Sequence, residues 1–479
     1  MNRTVVRLVV GCLLIAACSS TASAPAPTPG PASLAPSTQK PASGATPVTS
    51  DSAPSTTAEI ATDPSAPAPS SVIPVGRETK DPAYQSLALV GDLAGSAGAT
   101  TADFNNDGYP DIVYNSFGTI VMTTSTIEPS ALTILYQAGD PTKLQRQTLV
   151  APADSHYFLN EVWTGDIDGD GDIDIIAPGG FFVCSSLKIG DCGSLTLWVN
   201  AGIKNGMAVW DQHEIVAKGS KRFFHRPAVA DINGDGYQDV VAVGETFNDA
   251  LTMIFLGSAD GISKTPIEVG TGGGSYPTVT DIDGDGDLDI ASGQYFQVPE
   301  SVVWFENMGS DPMSFVRHTI TDKIGKTIQL SLVPDIDGPG TSGWLVSNHT
   351  NTSNPTAPES GVYRLRPGAD IRAPWEVELI TSGIKSRPSV GIAFQAAPGV
   401  FGWGDLDGDG DVDVALSGDG DDRLFIVEQT AVGVFKTRVL ETSFGQAGSM
   451  HVSDINGDGK LEILAAGFEA NELRLYSLK

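Results

Sequence analysis

The residues best placed to do chemistry are carboxylates repeated at fixed spacing. Six nine-residue stretches follow the pattern D-x-[DN]-x-D-G-x-x-[DE]: DFNNDGYPD (103–111), DIDGDGDID (166–174), DINGDGYQD (231–239), DIDGDGDLD (281–289), DLDGDGDVD (405–413) and DINGDGKLE (454–462). Oxygen donors at positions 1, 3, 5 and 9, with a backbone carbonyl at 7, form the ligand set of a hard cation such as Ca²⁺, and glycine at 6 lets the chain turn back around the ion. The side-chain donors are Asp103, Asn105, Asp107 and Asp111; Asp166, Asp168, Asp170 and Asp174; Asp231, Asn233, Asp235 and Asp239; Asp281, Asp283, Asp285 and Asp289; Asp405, Asp407, Asp409 and Asp413; and Asp454, Asn456, Asp458 and Glu462. The position-seven carbonyls belong to Tyr109, Asp172, Tyr237, Asp287, Asp411 and Lys460.

What flanks these loops decides the architecture. A helix-flanked calcium hand needs a bidentate Glu at position 12, where this chain has Tyr114, Ala177, Ala242, Ser292, Leu416 and Ala465. Each loop runs instead into a short apolar, partly β-branched segment such as DVVAVG (239–244), which reads as a buried strand. A seventh phrase, DIDGPGTSG (335–343), keeps Asp335 and Asp337 but has Pro339 at position 5 and Gly343 at position 9. The seven phrases start 49 to 70 residues apart, so each belongs to one small unit that must stack on its neighbours to bury its apolar face.

Each unit supplies four strand-like segments: one entering the loop, one leaving it, an aromatic-rich third such as LTMIFLG (251–257) and a more polar fourth such as FKTRVLE (435–441). Seven such units predict an all-β, seven-bladed β-propeller of four-stranded antiparallel blades over 79–479. After the last loop only two strands remain, while YQSLALV (84–90) is spare at the other end. Docking of that segment on the last blade would close the ring and leave no bare edge.

At the N-terminus, Arg3 and Arg7 precede an apolar run, 8–17, too short for a membrane span and suited to a signal sequence. It ends in Ile15-Ala16-Ala17-Cys18, which resembles the bacterial lipobox. The expected organisation is a lipoprotein signal at 1–17 and a lipidated Cys18 followed by a disordered Ala/Pro/Ser/Thr-rich tether to 78, giving an exported protein that meets the membrane through its lipid alone. Cys184 and Cys192, with seven residues between them, read as a disulfide in an exported chain. The net charge of −30 disfavours nucleic acid as a partner, and 26 of the 58 acidic residues lie in the seven phrases, so bound cations would offset much of it.

VADINGDGYQDVVAVG and VSDINGDGKLEILAAG resemble the FG-GAP and VCBS-type repeats of integrin α-subunit propellers and of exported bacterial proteins. The resemblance covers about 80–479 and implies calcium held between the first and second strands of each blade, in about six structural sites. Blade five departs from the pattern.

Function then falls to the opposite rim, where the connections entering the innermost strands converge. His156, Glu161, His225, Arg226, Tyr276, Gln329, Arg387 and His451 are the ligand-binding candidates, with Asn160, Tyr157 and Ser275 nearby and Phe223 and Phe224 as stacking surface. This chemistry suits a sugar or an anionic group. The sequence predicts a monomeric cell-surface binding or adhesion module for a glycan or protein. The alternative is a carbohydrate-active enzyme of lyase or dehydratase type with its active site on that rim. No nucleophile elbow, phosphate loop or His-rich metal motif is present.

Overall fold

The computed structural model describes residues 80–479 except 92–93, 122–125, 185–188, 296–300, 311, 353 and 388–395. The expected signal, Cys18 and the tether lie outside the described residues. Among those described there is one short 3-10 turn, Pro152–Asp154, and no α-helix.

Seven antiparallel sheets form the blades of a propeller. Blade six is the simplest: Phe401–Gly404, Asp413–Ser417, Leu424–Ala431 and Val434–Glu441 pair in chain order, from the axis outward. In every blade the acidic phrase joins the first strand to the second. Second strands such as Asp239–Glu245 are buried along their whole length, because the wide apolar faces of neighbouring blades cover both sides. Seven apolar clusters result, one in each gap between blades, as where Ile176 and Leu197 of blade two meet Val240 and Phe255 of blade three.

Ring closure follows the expectation. Tyr84–Val90 pairs antiparallel with Glu472–Leu478 and becomes the outer strand of blade seven, beyond Glu462–Gly467 and Ala447–Ser453. Tyr84 is buried, and its hydroxyl donates to the Leu406 carbonyl in the loop of blade six at 3.1 Å. A chain beginning at residue 92 would bare the edge of the C-terminal strand. We expect it to melt several degrees lower and to aggregate, whereas a chain beginning at residue 80 should melt as the full chain does.

Candidate functional site

The acidic loops share one geometry. Glycine at position 6 has φ between +84° and +97° in all six, and a Cβ there would meet nothing within 4 Å. The requirement for glycine is therefore left-handed backbone rather than space. The first Asp collects the loop's own amides: in blade three the Asp235 and Gly236 N–H groups donate to Asp231 Oδ1 and Oδ2 at 3.0 and 2.8 Å. Position-three and position-five side chains accept amides in turn, Asp235 N–H to Asn233 Oδ1 at 2.9 Å and Tyr237 N–H to Asp235 Oδ1 at 2.9 Å.

The donor sets fit a divalent cation. One carboxylate oxygen from each of Asp166, Asp168 and Asp174 lies within 4.8 Å of the others, and the same holds for Asp281, Asp283 and Asp285 and for Asp405, Asp407 and Asp413. Oxygens bound at about 2.3–2.6 Å to one Ca²⁺ lie at most about 5 Å apart. These Asp clusters could hold metal ions.

Position nine does more than offer a ligand. Asp111 is fully buried, and its two oxygens accept the N–H groups of Phe104 at 3.2 Å and Gln137 at 3.0 Å, tying loop position 2 to the end of the third strand. The same latch recurs at Asp174 with Ile167 and Asn200, Asp239 with Ile232 and Gly257, Asp289 with Ile282 and Asn307, and Asp413 with Leu406 and Gln429. Burial pushes Asp111, Asp289 and Asp413 up to about 7 and Asp174 and Asp239 up to about 6, against the amides that favour the charged form. In blade seven, Glu462 accepts the Ile455 N–H and the Asn456 side-chain amide.

Side chains next to the latch staple the loops into a ring. Gln137 Nε2 donates to the Ile455 carbonyl of blade seven at 2.6 Å, and Asn200 Nδ2 to the Phe104 carbonyl of blade one at 3.0 Å. Tyr84 makes the corresponding bond from blade seven to blade six.

On the opposite rim all seven blades surround one axial cavity of about 620 Å³, within the roughly 300–1,000 Å³ range of small-molecule sites. Glu161, His225, Arg226 and Tyr276 line it, together with Asn160 and Ser275. The Tyr276 hydroxyl donates to Glu161 Oε2 at 2.5 Å, and Tyr276 holds a left-handed backbone, φ +58°, that is costly for an aromatic residue. Burial raises the Glu161 carboxyl, opposed by the charge of Arg226 and by Tyr276, and raises the Tyr276 phenol further above its ordinary range. His225 Nε2 lies 3.2 Å from Glu245, whose carboxyl is raised by burial. Ser275 Oγ, Arg226 Nε and Gln446 Oε1 have no hydrogen-bond partner among the described residues.

The other candidates are not among the lining residues. Gln329 is buried and clamps blade five to blade six, donating to the Phe401 carbonyl at 2.9 Å and accepting its N–H at 2.7 Å, while Ile328 faces the cavity. Alternation along a strand separates these neighbours. His451 bonds Thr101 Oγ1 at 2.9 Å deeper in the axis, where burial, then the charge of Arg226, lowers it to about 4. Arg387 pairs with Glu469 at 2.8 Å, and His156 lies near Lys218, Asp154 and Glu214. Phe223 and Phe224 are buried, so they offer no open stacking face.

The sequence reading missed a second set of lining residues. Phe117, Tyr295, His349, Asp419 and Phe468 each stand six positions after the ninth residue of their phrase, and Phe181 stands seven after. That spacing is the signal that would have found them. They divide the cavity into an aromatic wall, with Phe117 5.4 Å from Phe181 and 6.0 Å from Phe468 between ring centroids, and a polar wall. On the polar side Tyr295 lies between His225 and His349, and Asp419 accepts from Gln446 at 2.7 Å and lies 3.8 Å from His349. Cys184 and Cys192 are disulfide-bonded, and pack with Phe158 and Val183 next to Phe181 and Phe117.

The FG-GAP-like repeat matches residues 231–292 and 405–465, the segments of blades three to four and six to seven. No curated protein matches the chain. Among solved structures, a Bacillus licheniformis rhamnogalacturonan lyase is 15% identical, with a TM-score of 0.41 over 85% of this chain and 75% of that one. The exotype rhamnogalacturonan lyase YesX is 13% identical, with a TM-score of 0.39 over the same shares.

Proposed function

We propose that this chain, a seven-bladed propeller built of FG-GAP-like repeats, is an exported, lipid-anchored, calcium-loaded recognition module that binds a saccharide in its axial cavity. The observation that carries this reading is the cavity itself. It sets an aromatic wall, Phe117, Phe181 and Phe468, opposite a convergent set of donors and acceptors, Glu161, Arg226, Tyr276, His349 and Asp419. A sugar ring has the same two-sidedness: an apolar face of C–H groups and an edge of hydroxyls that pair with charged and amide groups. Formal charges in and beside the cavity nearly cancel, with Arg226 beside Glu161 and Lys326 acting on Glu245. That balance suits a hydroxyl-rich ligand better than a highly charged one. Calcium in the six complete loops would stiffen the opposite rim and leave the cavity to the ligand.

The test is a broad glycan array probed with the calcium-loaded protein. Binding to a restricted set of saccharides is expected, weakened about tenfold or more by Arg226→Gln and by Glu161→Gln, since a hydrogen bond to a charged group contributes roughly 1.5–3 kcal/mol. Lys460→Ala, on the far rim, should bind as the unaltered chain does. Failure to bind any saccharide on the array would refute the reading.

One observation favours catalysis as a second reading. A carboxyl raised by burial and hydrogen-bonded by a tyrosine, as Glu161 is, is suited to proton transfer. Depolymerisation of a bound polysaccharide, abolished by Glu161→Gln while binding persists, would select an enzyme of lyase type over a binding module.

A further inference from the structure

We propose that blade five takes no metal because the protein supplies a cation of its own there: the guanidinium of Arg364 occupies the role that an ion has in the other six loops. The inference rests on the calcium reading of those loops. In blade five the Arg364 Nη2 forms an ion pair with Asp337 Oδ1, the position-three carboxylate, and both side chains are largely buried, at 6% and 18% exposure. Pro339 and Gly343 have removed the donors at positions 5 and 9. A Cβ on Gly343 would lie 2.8 Å from the Asp337 carboxylate, so that carboxylate occupies the space beside the missing ninth side chain. Asp335 still collects a loop amide, the Gly340 N–H at 2.6 Å, so the turn survives without its ion.

The register of the sheets makes Arg364 exceptional. It stands on the third strand, Val362–Arg366, opposite Leu345, two residues beyond loop position 9. In the other blades the residues at that register are Ile134, Leu197, Ile254, Trp304, Ile426 and Leu475, all apolar. Among the described residues, the one blade that loses two carboxylate positions is the one that has a buried positive charge at this register; Arg372 also reaches a position-three carboxylate, Asp283 of blade four, at 2.6 Å, but from an exposed position and with that loop's other donors in place. A buried guanidinium without a partner would be strongly unfavourable, and so would Asp337 without a cation. Around the pair lie Arg366 and Glu378, themselves joined at 2.8 Å, so the group of four is neutral without metal. Burial raises the Asp337 carboxyl and lowers the Arg364 guanidinium, while each holds the other charged.

Calcium bound per full chain, counted by equilibrium dialysis at saturation, should be six, and seven would overturn the proposal. Arg364→Gln should melt several degrees below the unaltered chain in EGTA, and calcium should raise both melts equally. An unchanged melt in EGTA, or a loss that calcium repairs, would also overturn it. Should that variant fail to fold, the rebuilt loop Pro339→Asp/Gly343→Asp/Arg364→Ile gives the converse test: it should bind one ion more than the unaltered chain, and an equal count would show that Arg364 is not what stands in for the ion. A count of zero in the unaltered chain would refute the calcium reading alone, because the EGTA melt of Arg364→Gln tests the ion pair without metal.

Discussion

Chelating calcium should lower the melting temperature by about 10–20 °C. Extracellular oxygen-ligand sites bind Ca²⁺ with dissociation constants of about 10⁻⁴–10⁻³ M. At 10 mM calcium each site then stabilises the folded ring by roughly 1.4–2.7 kcal/mol, or about 8–16 kcal/mol over six sites. With unfolding entropy near ~2 cal/mol/K per residue over some 400 residues unfolding together, that corresponds to the stated shift. The pH dependence gives the effect a signature. In the ion-free chain burial holds the five position-nine aspartates at about 6–7, above their unfolded value near 3.8. The native state therefore binds more protons than the unfolded chain between about pH 4 and 7, and this contribution to stability is lost as pH rises through 6–7. In EGTA the melt should fall from pH 5 to pH 8. In saturating calcium the melt should be nearly flat over the same interval, because the bound ion keeps these carboxyls deprotonated in the native state, as they are in the unfolded chain. Calorimetric scans in the two buffers check this, and parallel curves would count against metal in these loops.

Much of this ring is legible before any coordinates. A buried strand after each loop, an aromatic third strand and a spare segment at Tyr84–Val90 require a closed array, because no single blade can cover its own faces. Half of the rim candidates also come together, since Glu161, His225, Arg226 and Tyr276 lie on connections that enter the inner strands at similar distances from their loops. Gln329 and Ile328 show where such counting stops. A register irregularity between Thr327 and Gln329 sets which neighbour faces the axis, and it arises from pairing with Ser347 and Asn348. Tyr295, His349 and Asp419 lie on connections between second and third strands whose lengths vary from blade to blade, so their convergence is a property of the ring. Arg364 is the same kind of case: its meaning appears only when the third strand is set opposite Leu345 and compared across blades.

Asp239→Ala should destabilise the ion-free protein far more than Asp235→Ala, although both residues are equivalent as metal ligands in the sequence pattern. Asp239 is fully buried, and its oxygens accept the Ile232 and Gly257 N–H groups at 3.1 and 2.7 Å. Alanine leaves two buried amides without acceptors, at about 1–3 kcal/mol each, so a loss of roughly 2–6 kcal/mol is expected from guanidinium unfolding in EGTA. Asp235 is exposed, and in the ion-free loop it serves only the Tyr237 amide and the Asn233 side chain, so its removal should cost less than about 1 kcal/mol. Adding calcium should raise the unaltered chain above both variants by one site's increment, because each has lost a ligand. Asp239→Asn should fall between, since its amide keeps one acceptor but turns a donor toward the second N–H. Equal losses for Asp239→Ala and Asp235→Ala in EGTA would reduce position nine to a ligand and nothing more. The expected inequality would instead make it the joint between two tasks: the carboxylate that fastens each loop to its blade also presents an oxygen to the ion, which is how filling a surface loop can stiffen the strands beneath it.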